Sequence, residues 1–228
     1  MYKDNYKELP ELIPEEFIER ALKLSSALLC DGMIELGLIK DGAMDYSIKP
    51  VDDSLKMAGT AATVSTEEGD NYPVNAGLYK GRAGYVLVVD GKNNKERAYI
   101  GDLMVRTAKA KGFKGIVIDG LVRDKLDIKK IGLPVFCRGY IQRKPTKTNL
   151  GELNTVIYCG GLKVAPGDLV FGDYDGVTVV PRKYVEKVLN QAEEKLKRDK
   201  IREKSIIQYE EAKKTGKRLP DLTPDWLK

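Results

Sequence analysis

The stretch "YVLVVDGKNNKERAYIGDLMVRTAKAKGFKGIVID", residues 85–119, contains two short apolar runs on either side of a helical pattern. The first run, YVLVVD, is apolar without alternation and ends in an acid, which is typical of a strand buried on both faces. The second run, GIVID at residues 115–119, has the same character. Strand, helix and strand at this spacing predict a right-handed βαβ unit with parallel strands. Both strands therefore end at the same edge of the sheet.

The helix between these strands is predicted to begin near Gly101 and to end at Lys111 and Gly112. Its spacing of apolar and small residues predicts an inward face. That face comprises Leu103, Met104, Thr107, Ala108 and Ala110.

Outside this unit, apolar spacing predicts one helix over residues 14–38, a strand over 56–65 and a short helix over 73–79. A further strand is expected at 134–139, and short runs at 154–158, 169–173 and 176–180 predict an antiparallel layer. A long charged helix over 182–214 has little to bury it, which favours packing on a neighbouring subunit. We expect a single α/β domain spanning residues 1–228, with a core of about 20–181 and a C-terminal helix and tail at 182–228.

The chain has 228 residues and is 42% hydrophobic, enough for a sizeable core. No apolar run approaches the roughly 18 residues of a membrane helix, and the N-terminus lacks a signal-like apolar segment, so we expect a cytoplasmic protein without membrane contact. The net charge is +5, but basic and acidic residues alternate, which disfavours nucleic acid as a partner.

Histidine is absent from the sequence, which excludes Ser-His-Asp triads, histidine zinc sites and an imidazole general base. Cys30, Cys137 and Cys159 are too far apart for a zinc motif and are expected to be buried, inert thiols. Any catalysis must therefore use carboxylates, Arg, Lys, Tyr, backbone dipoles or a metal with oxygen ligands, which favours Mg²⁺ or Mn²⁺.

The edge where the parallel strands end carries the candidate site. The amides of Leu103 and Met104, in the first turn of the helix, can hold an anionic oxygen, and Gly101 allows a ligand to approach closely. Gly120 predicts a sharp turn that returns Arg123 and Asp124 to this edge. Arg123 offers a planar fork for a carboxylate, and Asp124 offers oxygen to a divalent cation.

Ordinary structural roles also fit these residues. Asp102 is explained as a helix cap, worth about 1 kcal/mol. Arg123 and Asp124 are explained as a surface ion pair, worth roughly 0 to 1 kcal/mol. The glycines are explained as turn residues.

The pattern G-D-L-M, followed by R-D, resembles the family of class II 4-hydroxy-4-methyl-2-oxoglutarate aldolases and regulators of ribonuclease E activity. Residues 103–122 form the 20-residue gap between Asp102 and Arg123. SALLCDGM at 26–33, GTAATV at 59–64, GDN at 69–71 and VAPGDLVFGDYDGVTVVP at 164–181 are also similar to family segments. The resemblance covers residues 20–205. RAGY at 82–85 departs from the P-G-D that the family commonly has there, and this leaves the substrate open.

The resemblance implies an α-β-β-α sandwich that assembles into homotrimers or homohexamers with active sites between subunits. It implies that Asp124 holds Mg²⁺ or Mn²⁺ directly and that Asp102 holds it through water. An acid of the neighbour's C-terminal helix, Asp199 or alternatively Glu203, would complete this outer shell. Substrate contacts fall on Asn71, Gly101, Asp102, Leu103, Met104 and Arg123.

The activity implied by the resemblance is cleavage of a 4-hydroxy-2-oxo acid to pyruvate and a second carbonyl compound, with oxaloacetate decarboxylation through the same enolate. Arg123 and Asp102 would be the catalytic residues, Asp102 supporting a water that accepts the substrate's hydroxyl proton. The alternative is a non-catalytic, protein-binding regulator. Regulators of this family typically lack the acid after the Arg, whereas this chain keeps Asp124. A methyltransferase is disfavoured because no glycine-rich adenosylmethionine loop is present.

Overall fold

The computed structural model describes residues 5–38, 40–148, 151–224 and 227. The fold is mixed α/β, and its centre is an eight-stranded sheet in the order β1-β5-β4-β3-β2-β9-β10, with β6 also pairing with β2. β7 and β8 form a separate hairpin. The strands are β1 Lys49–Pro50, β2 Met57–Thr66, β3 Tyr85–Asp90, β4 Gly115–Val122, β5 Val135–Tyr140, β6 Gly151–Leu153, β7 Ile157–Cys159, β8 Leu162–Val164, β9 Leu169–Asp173 and β10 Gly176–Val180.

Six α-helices accompany these strands: α1 Glu15–Leu22, α2 Ser26–Glu35, α3 Tyr72–Lys80, α4 Asp102–Ala110, α5 Lys125–Ile131 and α6 Val185–Thr215. A 3₁₀ turn at Arg182–Tyr184 leads into α6. β2, β3, β4 and β5 are parallel, as the crossovers through α3, α4 and α5 require. The predicted βαβ unit is thus confirmed as β3-α4-β4.

The central strands are buried on both faces because helices cover one side and the β7–β8 hairpin covers the other. All six residues of β3 are buried. Leu87 and Val89 pack toward α3, α4 and α5, whereas Val86 and Val88 pack toward the hairpin. A third cluster joins α1, α2 and α6 to β9. Uninterrupted apolar composition is therefore required of these strands.

Two of the predicted features are wrong in detail. The helix expected over residues 14–38 is two helices, α1 and α2, because the chain turns at Lys23 and Ser25 caps α2 by accepting a hydrogen bond from Leu28 N at 3.3 Å. Gly120 makes no sharp turn: it lies inside β4, beside an irregularity in the pairing with β5. A Cβ on Gly120 would lie 2.6 Å from the Tyr99 ring, so close packing explains this glycine.

The strands expected at 169–173 and 176–180 are present as β9 and β10, and they extend the central sheet because β9 pairs antiparallel with β2 and β10 pairs antiparallel with β9. The run expected at 154–158 is a strand only from Ile157, as β7 of the separate hairpin. The long helix is also present. Its first half is anchored by Val185, Val188, Leu189 and Ala192, which are buried, whereas Ile201 is 67% exposed. The buried face of α6 therefore ends before Ile201.

Asp90, the last residue of β3, and Asp119, inside β4, have structural partners. Asp119 accepts hydrogen bonds from Arg138 Nε at 2.5 Å and from Gly160 N at 2.6 Å, which fixes the hairpin to the sheet. Asp90 pairs with Lys92. Cys137 and Cys159 are buried as expected, and burial raises the pKa of Cys137 to about 11, whereas Cys30 is half-buried. In the part of the chain that the structure describes, no helix is long and apolar enough to cross a membrane.

Candidate functional site

A cleft of about 330 Å³ opens where β3 and β4 end, at the N-terminus of α4. Ligands of parallel α/β proteins commonly bind at this edge, because the free amides of a helix N-terminus point outward there. Its walls come from four parts of the chain. They are Asn71 and Asn75; the run Tyr99, Ile100, Gly101, Asp102, Leu103 and Met104; the pair Arg123 and Asp124; and Lys144, Pro145 and Lys147.

Asp124 lies at the junction of β4 and α5 with its backbone in the left-handed region, at φ 62° and ψ 40°. Asp tolerates this conformation better than most residues. The Asp124 carbonyl oxygen begins α5 by accepting from Asp127 N at 3.0 Å, but the carboxylate makes no capping bond. Instead Asp124 Oδ2 lies 3.4 Å from Arg123 Nε and 3.4 Å from Asp102 N. The carboxylate therefore faces the cleft rather than its own helix.

Gly101 makes this arrangement possible because it leaves room for both side chains. Its φ of −135° is accessible to any residue, so the glycine is not required by the backbone. A Cβ at this position would overlap Asp124 Oδ2 and would lie 3.1 Å from Arg123 Nε. The sequence-based view of Gly101 as a mere turn residue is therefore wrong.

The start of α4 also differs from the prediction that Asp102 caps this helix. Asp102 is the first helical residue, Gly101 occupies the cap position, and no side-chain capping bond forms. Asp102 Oδ2 lies 3.5 Å from Arg106 Nε. The Leu103 side chain is 74% exposed and Ala110 is also exposed, so neither faces inward as expected, whereas Val105, which the spacing argument omitted, is buried. Leu103 can therefore take part in the predicted anion contact only through its backbone amide, not through its side chain.

Tyr99 is a buried residue of the cleft that the sequence analysis missed. Its hydroxyl donates to Gly91 O at 2.6 Å and accepts from Gly69 N at 2.9 Å. Its carbonyl accepts from Asn71 Nδ2 at 3.0 Å. Tyr99 thereby joins the end of β3 to the loop that carries Asn71. The only signal in the sequence was the pair of glycines, Gly91 and Gly120, against which its ring packs.

Replacing Tyr99 with Phe is expected to lower the free energy of unfolding by about 1 to 3 kcal/mol, because the Gly69 amide and Gly91 carbonyl lose their partner. Burial raises the pKa of Tyr99 to about 12, above its usual 10.0. The unfolded chain therefore ionises first, so this contribution is complete below about pH 10 and is lost as pH rises toward 12. Urea unfolding should show a smaller difference in the free energy of unfolding between wild type and Tyr99→Phe at pH 11 than at pH 8. The control is Tyr46→Phe, since Tyr46 is 84% exposed. If the difference in the free energy of unfolding stayed the same at both pH values, the raised pKa of Tyr99 would be contradicted.

Asn71 supplies the clearest sign of an unmet polar contact. It is 4% exposed, and its Oδ1 has no hydrogen-bond donor among the described residues. Its Nδ2 is already used by the Tyr99 carbonyl. Buried polar atoms are nearly always paired, so an unpaired acceptor on the wall of a cleft indicates a place for a donor.

The structure thus brings together seven of the predicted site residues: Asn71, Gly101, Asp102, Leu103, Met104, Arg123 and Asp124. Asp199 and Glu203 lie on α6, and neither lines the cleft of its own chain as the structure describes it. Asp199 Oδ1 is 2.6 Å from Lys195 Nζ, and Glu203 is exposed. Their contribution from a neighbouring subunit stays a prediction. Lys144, Pro145 and Lys147 were not predicted, because nothing local in their sequence indicates where this segment crosses the cleft.

Comparison with known proteins agrees with this architecture. The RraA-like family, described as Aldolase/RraA, matches residues 26–179, a range that contains all seven of these residues. The chain belongs to the RraA-like family. A Halalkalibacterium halodurans protein named "Putative 4-hydroxy-4-methyl-2-oxoglutarate aldolase" is 41% identical over 160 residues, which cover 70% of this chain and 76% of that protein.

Solved structures of this RraA-like fold include proteins named as inhibitors. Streptomyces coelicolor RraAS2, described as an unusual member of the RNase ES inhibitor RraA protein family, has a TM-score of 0.74 and 27% identity, covering 86% of this chain and 98% of that one. The "RNA-processing inhibitor RraA from Thermus thermophilis" has a TM-score of 0.57 and 29% identity, covering 61% of this chain and 84% of that one. The expected fold family is therefore confirmed, and the relatives' names include both an aldolase and inhibitors.

Proposed function

We propose that this RraA-like protein is a divalent-metal-dependent lyase that cleaves a 4-hydroxy-2-oxo acid to pyruvate and a second carbonyl compound. The supporting observation is the Asp124 carboxylate, which is left free by α5 and is held beside Arg123 at the N-terminus of α4. The aldolase name of the 41% identical relative supports the same reaction class.

The side chains of the cleft fit a hard divalent cation. Asp124 and Asp102 both line it, and carboxylate oxygens are the ligands that Mg²⁺ and Mn²⁺ prefer. Within the described ranges, no group of three His, Cys, Asp or Glu residues forms a closed metal site. A cation held here would thus keep open positions for substrate and water, with Asp124 as the direct ligand and Asp102 acting through water.

A bound divalent cation would supply Lewis acidity, polarising the carbonyl of a 2-oxo acid. The chain's own groups orient the substrate and balance its charge. Arg123 presents a planar fork to a carboxylate or to the oxygen of the pyruvate enolate. The amides of Leu103 and Met104 face the same cleft and favour negative charge.

Cleavage requires a base for the substrate's hydroxyl proton. As that proton leaves, the hydroxyl-bearing carbon becomes a carbonyl, and the electron pair of the broken carbon–carbon bond remains on the pyruvate fragment as its enolate. Protonation of the enolate carbon then gives pyruvate. Asp102 is the candidate positioning group for the water that accepts the first proton, because the chain contains no imidazole. Oxaloacetate, losing CO₂, reaches the same enolate, and we include its decarboxylation in the proposal.

The exposed part of α6 supports assembly into a homotrimer or homohexamer. Ile201, Ile206 and Ile207 are 67%, 41% and 47% exposed, a substantial apolar surface on a projecting helix. Packing on a neighbour would cover these residues and would bring Asp199 or Glu203 near the neighbour's cleft. Sedimentation analysis of the full chain measures the assembly directly.

The test is pyruvate release from a panel of 4-hydroxy-2-oxo acids and oxaloacetate, with Mg²⁺, with Mn²⁺ and with a chelator. We expect turnover with either metal and none with the chelator. The second candidate, a protein-binding regulator, is favoured by the inhibitor names of the two solved relatives. Absence of turnover on every substrate with both metals would overturn the lyase and leave the regulator.

Gly101→Ala should lower kcat/KM by about a hundredfold, because the new methyl group displaces Asp124 and Arg123 from their positions. The melting temperature should change little, since the backbone angles suit alanine and the crowded atoms end flexible side chains. Ala110→Ser, at the other end of α4, is the control and should leave both quantities unchanged. Full activity in Gly101→Ala would contradict the close approach of these groups.

A further inference from the structure

We propose that the Tyr140 ring keeps the Lys125 ammonium group away from Asp124, so that this carboxylate stays available to a divalent cation. Tyr140 is then a positioning residue for the proposed metal site, and the inference rests on the proposed function. The described walls of the cleft include neither Tyr140 nor Lys125, so both residues act on the site from outside it.

The sheet places Tyr140 beside the junction that carries Asp124. Tyr140 is the last residue of β5 and pairs with Val122, the last residue of β4, and Ile141 N donates to Val122 O at 3.0 Å. Because β4 and β5 are parallel, their final residues lie together at the edge where the cleft opens. Strand pairing therefore fixes the Tyr140 backbone opposite a residue only two positions before Asp124.

Lys125, which directly follows Asp124, contacts the Tyr140 ring instead of an acid. Its Nζ lies 4.6 Å from the ring centroid, within the range of a cation–π contact. Among the described residues, no carboxylate lies within 4.0 Å of this Nζ, although Asp124 is adjacent in the chain. The ammonium group is thus held by the ring and not by the neighbouring carboxylate.

The aromatic face of Tyr140, rather than its hydroxyl, attracts the lysine. Partial burial raises the pKa of Tyr140 to about 12, so the phenol is neutral at pH 7 and carries no charge to attract Lys125. A cation is drawn to the negative face of a neutral ring, and phenylalanine offers the same face. The hydroxyl is therefore expected to be dispensable for this contact.

Without the ring, Lys125 would interfere with a cation at Asp124. Lysine carries its charge on a flexible four-carbon stem, and the Arg123 contact shows that a side chain adjacent to Asp124 can reach its carboxylate, with Nε 3.4 Å from Oδ2. A released ammonium group could pair with this 37% exposed carboxylate and would repel a divalent cation. Exposed ion pairs are weak, so we expect a change of several-fold in metal affinity rather than its loss.

The experiment measures Mg²⁺ binding to the full chain by calorimetry at pH 7. Tyr140→Leu should weaken binding about fivefold, whereas Tyr140→Phe should bind as wild type does. The deciding variant combines Tyr140→Leu with Lys125→Met. Its affinity should return to within about twofold of wild type, because no ammonium group remains to compete, whereas a purely structural role of Tyr140 would leave the loss in place.

The matched control is Tyr184→Leu. Lys183 Nζ lies 4.7 Å from the centroid of the Tyr184 ring, so this variant removes the same kind of contact just before α6 and should leave Mg²⁺ affinity unchanged. Tyr140 is 43% exposed, so leucine should preserve the fold, and melting temperatures check this.

Unchanged Mg²⁺ affinity in Tyr140→Leu, or a loss that Lys125→Met does not reverse, would overturn this inference alone. Failure of the wild type to bind Mg²⁺ would overturn the proposed metal site together with it.

Discussion

Asp124→Asn is expected to lower pyruvate release by at least about a thousandfold, while the melting temperature stays close to that of wild type. The loss follows because a neutral amide is a much weaker ligand for a divalent cation than a carboxylate, and about 4 kcal/mol of lost transition-state stabilisation corresponds to a thousandfold in rate. Stability is preserved because asparagine tolerates the left-handed backbone at this position, its side-chain oxygen can still accept from Asp102 N, and the lost carboxylate makes no capping bond to α5.

The matched control is Asp127→Asn. Asp127 is three residues further along, half-exposed and paired with Lys130 at 3.1 Å, so it reports the effect of removing an acid from α5 without touching the cleft. Turnover should be measured over a range of Mg²⁺ concentrations, and metal binding by calorimetry. An Asp124→Asn variant with full turnover would refute the proposed metal site.

Arg123→Lys is expected to lower kcat/KM by about a hundredfold although the positive charge is retained. The guanidinium offers two parallel N–H donors to a carboxylate or enolate, whereas an ammonium group cannot reproduce that geometry. Losses of this size follow removal of a single donor to a developing oxyanion. The Arg123 side chain is 42% exposed, so stability should be almost unaffected.

A fall in kcat with little change in KM would assign Arg123 to the enolate, whereas a rise in KM alone would assign it to the substrate carboxylate. Arg143→Lys is the control, because Arg143 is exposed and its ion contact, with Glu96, spans 4.0 Å. Unchanged kinetics in Arg123→Lys would contradict a role in catalysis and would favour the alternative, an ordinary surface ion pair between Arg123 and Asp124.

The βαβ unit could be predicted because its strands are buried on both faces, and this requirement appears in the sequence as an unbroken apolar run. The break between α1 and α2 could not, since its polar residues fit a helix surface equally well and only Ser25 Oγ reveals the new start. The sequence analysis also missed that β4 continues beyond Asp119 to Val122, because these last residues are strand through their pairing with β5 rather than through local preference.

At the site, sequence spacing located the residues next to the parallel strands, since topology alone brings strand ends and helix starts together. It did not locate Tyr99 or Lys147, whose positions depend on hydrogen bonds between segments that are distant in sequence. The roles of Asp199 and Glu203 depend on how α6 meets another subunit and stay predictions.

The left-handed conformation of Asp124 has an evolutionary consequence. We expect its side chain to tolerate exchange for asparagine or glycine without unfolding of the protein, because the backbone suits those residues and the carboxylate contacts only Arg123 and Asp102 N among the described residues. Asp124 would therefore be needed for the proposed reaction but not for the stability of the fold. Under the proposed function, a lineage of this fold could lose the lyase reaction through a single substitution and still present an intact surface to other macromolecules.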